Sequence, residues 1–156
     1  MSDTIEVFRT NEKIGVVSIG LVEFGEKTVT SYRFPTVYDN MKKAILRGNC
    51  IYGSSPHTKE AWEKAGGYSP TVFQDWDFWI KILWESYLVV PLFRPLYKYR
   101  RHDKSLSYLN SYIWQKDGEA VLNLAKVNKN KLQELEIYSG ELAMALEREK
   151  YGKTTN

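Results

Sequence analysis

Ile14-Gly15-Val16-Val17-Ser18-Ile19-Gly20-Leu21-Val22 is a nearly unbroken apolar and β-branched run, the pattern of a buried strand. Gly25 marks a turn within Glu23 to Lys27, and Thr28 to Phe34 alternates as a second strand, so the pattern predicts a β-hairpin stopped by Pro35. From Tyr38 to Arg47 large or apolar residues fall at Val37, Met41, Ala44 and Ile45, spaced for a short amphipathic helix that ends at Gly48. Asn49 to Ser55 reads as a short extended segment. Thr58 is placed to cap a helix through Ala61 and Trp62 to Ala65, with Glu60 in its first turn and Gly66-Gly67 as its stop.

After the Ser69-Pro70 loop, Gln74 or Asp75 opens a helix whose inner face is predicted to hold Phe78, Trp79, Ile82 and Leu83. Tyr87 to Val90 reads as a strand, Pro91 and Pro95 as breaks, and Leu96 to Tyr99 as a final strand. From Ser107 onward proline is absent, and two helical segments are expected: Ser111 to Val127, and about Lys129 to Tyr151, divided near Asn128-Lys129-Asn130. In the second, Leu132, Leu135, Tyr138, Leu142, Ala145 and Leu146 share one side, which needs a surface to cover. Only Lys153 to Asn156 reads as a frayed tail. The expected fold class is α+β, with residues 1–107 forming a hairpin and mixed strands packed by short helices, and residues 108–156 a helical C-terminal extension.

Composition narrows the classes of partner. The chain is 156 residues long, 43% hydrophobic and 14% aromatic, with 5 Trp and 11 Tyr, enough for one buried core. Aromatic side chains can fill that core or stack on sugar rings. A net charge of +3, from 22 basic against 19 acidic residues, makes no demand for a nucleic-acid partner. Cys50 is the only cysteine, which excludes an intrachain disulfide and a cysteine-based zinc site. No secretory leader or run of about 18 apolar residues is present, so a cytoplasmic protein, or one peripheral to the membrane, is expected.

Two constellations carry candidate chemistry. Ala65-Gly66-Gly67-Tyr68, a short loop, and Gln74-Asp75-Trp76-Asp77-Phe78-Trp79 put a carboxylate beside aromatic rings at a helix start. Asp75 is either a helix N-cap or a base that takes a proton from a hydroxyl group. Asp77 is the alternative base, and it can instead pair with Lys81 four residues on. Trp76 near the helix start can stack on a sugar, whereas Trp79 belongs in the core. Further along, Tyr97-Lys98-Tyr99-Arg100-Arg101-His102 leads to Ser105 and Ser107, a basic cluster that is either a solvated turn or a site for phosphate or metal. His57, the other histidine, reads as structural.

In this order the two constellations resemble the second half of the catalytic domain of family 2 glycosyltransferases, inverting nucleotide-sugar enzymes of GT-A fold. The resemblance runs from Ile14 to Ser107, with one departure, Gln74 where the family usually has Glu, which removes a negative neighbour from Asp75. It implies that Asp75 is the catalytic base and that Trp76, Asp77, Gly53, Ser54 and Gly67 border the acceptor. It implies also that Arg100, Arg101 and His102 face the donor diphosphate, with His102 near a divalent metal, Mn or Mg. The nucleotide-binding half and its Asp-x-Asp strand end do not precede Ile14, and no phosphate-cradling glycine loop is present. The expected activity is therefore inverting transfer of a sugar to a hydroxyl acceptor, with a carbohydrate acceptor bound here and the nucleotide-sugar donor held by a half supplied from elsewhere. The alternative expectation is a non-catalytic binding or assembly module, docking a partner protein or a second copy through the C-terminal helix.

Overall fold

The computed structural model describes residues 2–25, 28–35, 40–104, 118–137 and 139–152. The expectations for Lys27, Val37, Tyr38, Ser105, Ser107, the start of the helix at Ser111, Tyr138 and the 153–156 tail lie outside them. The chain is an α+β protein built on a three-stranded mixed sheet of order β2-β1-β3. In chain order the elements are α1 (Ser2–Thr10), β1 (Ile14–Phe24), β2 (Val29–Ser31), α2 (Met41–Arg47), α3 (Lys59–Lys64), α4 (Gln74–Trp84) and β3 (Leu88–Arg100). Three helices follow: α5 (Gly118–Val127), α6 (Lys129–Glu134) and α7 (Glu141–Tyr151).

The apolar run from Ile14 becomes the central strand. It pairs antiparallel with β2, Leu21 opposite Ser31 and Glu23 opposite Val29, as the hairpin reading expects, although β2 keeps only three residues. On its other side it pairs in parallel with β3, from Ile14 opposite Leu88 to Phe24 opposite Arg100. This corrects the expected break at the prolines: Pro91 and Pro95 lie inside a single 13-residue strand. Because β3 is an edge strand, a missing N–H need not interrupt the sheet. The register shifts on both sides of Gly20, so β3 advances from Leu92 to Pro95 while β1 advances by one residue, and this irregularity absorbs the second proline. Asn49 to Ser55, expected to be extended, is instead irregular and holds a turn closed by the Ser55 N–H on the Tyr52 carbonyl at 2.9 Å.

One face of β1 is covered by α1, for which the sequence reading had no element: Val7 and Phe8 pack on Ile14, Val17 and Ile19. The main core gathers Val16, Ile45, Leu46 and Ile51 around α4, whose Trp76, Phe78, Trp79, Ile80 and Ile82 are all fully buried. Leu124 and Ala125 of α5, Leu132 of α6 and Leu142 of α7 join that same core. Leu142 is fully buried within its own chain. The surface that this helix covers is within the chain: α7 packs on α5 and α2. The expected continuous helix from Lys129 to Tyr151 is two helices.

Three helices end in one way. At α3 the Gly66 N–H bonds the Glu63 carbonyl at 3.1 Å and the Gly67 N–H bonds the Trp62 carbonyl at 2.9 Å, the paired bonds of a Schellman stop. Gly66 supplies the left-handed residue, φ 72°. At α4 the left-handed residue is Ser86 (φ 64°) and at α6 it is Glu136 (φ 51°), each with the same pair of bonds.

Candidate functional site

Asp75 is the second residue of α4. The N-cap position belongs to Phe73, which caps with no side chain, so Asp75 is not the N-cap. Its Oδ1 accepts the Trp76 N–H at 2.8 Å, one of the backbone donors that a first turn leaves free, and the positive helix end favours the charged carboxylate. Its Oδ2 accepts from Asn49 Nδ2 at 3.1 Å. Gly53 lies against the same oxygen: a Cβ on Gly53 would sit 3.2 Å from Oδ2. Ser54 follows, half-buried, while Gly53 itself is exposed.

Tyr68 follows the α3 stop. Its ring packs on Phe78 with centroids 4.5 Å apart and meets His57 edge-on at 6.1 Å. Burial, and then the nearby charge of Asp75, push its phenol above the ordinary tyrosine value. The Asn49 to Ser55 loop and the first turn of α4, separated along the chain, thus meet at one half-buried carboxylate with hydrogen-bond donors. His57 sits among Tyr68, Phe78 and Trp79, a packing role as expected.

The structure does not bring every expected residue to that carboxylate. Trp76 is fully buried and its indole Nε1 donates to the Ile45 carbonyl at 2.6 Å, so it presents no face to a sugar; it anchors α4 to α2. Asp77 is 5% exposed and bonds Lys81 at 2.7 Å and the Ser69 hydroxyl at 2.5 Å. The Lys81 pairing is the one the four-residue spacing offered, and it leaves Asp77 committed within the fold. Gly67 is buried beneath Trp62, whose ring lies 2.9 Å from where a Cβ would stand. Its role is to end α3.

The basic cluster begins inside β3 and runs off its end. Arg101 is fastened there: its N–H donates to the Phe24 carbonyl at 2.7 Å, and its guanidinium pairs with Glu23. Hydrogen bonding from Arg101 outweighs partial burial and holds the Glu23 carboxyl below the usual range. Arg100 and His102 are exposed. Among the described residues no three His, Cys, Asp or Glu side chains form a group able to hold a metal ion.

A chain of polar contacts that the sequence reading missed connects the two regions. From Glu23 it runs to the Ser31 hydroxyl at 3.2 Å and on to the Tyr52 hydroxyl at 2.9 Å. Tyr52 is 8% exposed, carries the Arg33 guanidinium over its ring at 4.8 Å, and is followed directly by Gly53. The signal was weak: Ser31 and Arg33 are ordinary members of an alternating strand pattern, and only the fold puts them beside the Asn49 to Ser55 loop.

Among the described residues no helix is long and apolar enough to cross a membrane. Compared with protein-family models, with characterised proteins and with solved structures, the chain has no match.

Proposed function

We propose that this chain carries the acceptor side of an inverting, family 2-like glycosyltransferase of GT-A type, with Asp75 as the base. The observation that supports the reading is the approach of Gly53 to Asp75 at the start of α4, with Asn49 holding the carboxylate. Asp75 takes the proton of an acceptor hydroxyl as that oxygen attacks the anomeric carbon of a nucleotide-diphosphate sugar. The new glycosidic bond forms with inversion, and the bond to the diphosphate breaks. Gly53 lets the acceptor approach the backbone, and the exposed Tyr68 offers it an aromatic surface. Exposed Arg100 and His102 attract the departing diphosphate, whose negative charge grows as the bond breaks. Arg101 instead fixes the end of β3 through Glu23. The donor sugar and any divalent metal that goes with it are held by a separate donor half.

The test is binding of the full chain to a panel of immobilised neutral and acidic oligosaccharides, repeated with Asp75→Ala. Retention of a subset of glycans, weakened about tenfold or more by the substitution, is the expected result. No retention by a folded chain, or retention unaffected by Asp75→Ala, would remove the reading.

A further inference from the structure

We infer that Arg33 is a specificity residue that selects an acceptor bearing a carboxylate, an acidic saccharide rather than a neutral one. The inference rests on the acceptor-side reading of Asp75. Arg101 is neutralised by Glu23, so it offers little net charge to a ligand. Arg33 is exposed, makes no ion pair with any described residue, and lies over the Tyr52 ring at 4.8 Å.

Stacking on an aromatic face restrains a guanidinium while leaving its in-plane N–H donors free. Those donors match the two oxygens of a carboxylate. The platform itself is fixed, because the Tyr52 ring is buried and its hydroxyl is bonded to Ser31, which bonds Glu23 in turn. Tyr52 and Gly53 are adjacent, one peptide unit or about 3.8 Å between Cα atoms, and Asp75 lies 3.2 Å from where a Gly53 Cβ would stand. The backbone that carries the Arg33 platform thus continues directly into the residue beside Asp75, and a carboxylate on a bound saccharide or on its next sugar ring is the group that cation recognises.

The experiment uses the full chain, uronic-acid tetrasaccharides and the same tetrasaccharides with their carboxyl groups reduced to alcohols, titrated by calorimetry at low and moderate salt. The charged form is expected to bind about 10- to 100-fold more tightly than the reduced form. Arg33→Gln should erase that preference while leaving affinity for the reduced form unchanged. Because Arg33 is exposed, this variant is expected to fold, which its circular dichroism and melting temperature verify. Equal binding of both forms, or a preference that survives Arg33→Gln, overturns the inference and leaves the Asp75 reading standing. Binding of neither form overturns the inference, and the oligosaccharide panel then decides the Asp75 reading separately. Loss of uridine diphosphate binding in Arg33→Gln, with saccharide preference intact, would assign the cation to a phosphate and also overturn it.

Discussion

Gly53 leaves the space that Asp75 occupies: the position a Gly53 Cβ would take is 3.2 Å from one carboxylate oxygen and 3.4 Å from the Asp75 Cβ. That closeness makes a residue with no catalytic group sensitive to substitution. Gly53→Ala pushes on the carboxylate and strains its bond to Asn49, so saccharide retention should fall at least about tenfold while stability changes by less than about 1 kcal/mol. Glycan binding and urea unfolding of the same variant check it; unchanged binding would show that the contact is incidental.

Trp76 separates a packing role from a binding one. Trp76→Phe removes the bond to the Ile45 carbonyl and leaves part of the indole volume empty, so it should destabilise the fold by about 2–4 kcal/mol. Chemical denaturation measures this directly. A variant of unchanged stability that loses glycan binding would return Trp76 to the acceptor.

The Schellman stops give a test of the backbone. Ser86 and Glu136 hold left-handed conformations that glycine adopts without cost from a Cβ. Ser86→Gly and Glu136→Gly should each stabilise the chain by about 0.5–1 kcal/mol. Destabilisation of both would mean that the helices end differently.

The pair between Glu23 and Arg101 should appear in the acid limb of stability. The folded pKa of Glu23 lies below its ordinary value, and the unfolded value is about 4.3. The contribution is therefore fully present above about pH 4.3 and is lost as pH falls through the lower folded value. Urea unfolding of wild type and Glu23→Gln at a series of pH values should show a stability gap that narrows below about pH 4. A gap independent of pH would contradict the coupling.

Much of the fold was legible because local signals agreed with burial. The apolar run from Ile14, the Thr58 cap and the Gly66-Gly67 stop each became the element they indicate. Phe78, Trp79, Ile82 and Leu83 are buried as the helix period required. The failures have physical causes. Proline forbids a donor, not a strand, and only tertiary placement at a sheet edge makes Pro91 and Pro95 harmless. The stop at Glu136 carries no glycine, so nothing in composition announced it. Trp76 was misplaced because an aromatic at a helix start looks the same whether a neighbouring helix or a ligand covers it; α2, through Ile45, decides. In the site, Asp75 and Gly53 were readable from the motif, whereas Tyr52, Ser31 and Arg33 come together only through the pairing of β1 with β2 and the path of the Asn49 to Ser55 loop.

The most direct test of the central claim, that a saccharide acceptor binds at Asp75, is a two-dimensional amide NMR titration of the full chain. The ligand is an oligosaccharide retained in the panel. Perturbations concentrated at Asn49, Gly53, Ser54, Tyr68, Asp75 and Trp76 are predicted, and Asp75→Ala should weaken them. Perturbations confined to α6 and α7, or none at saturating saccharide, would contradict the account.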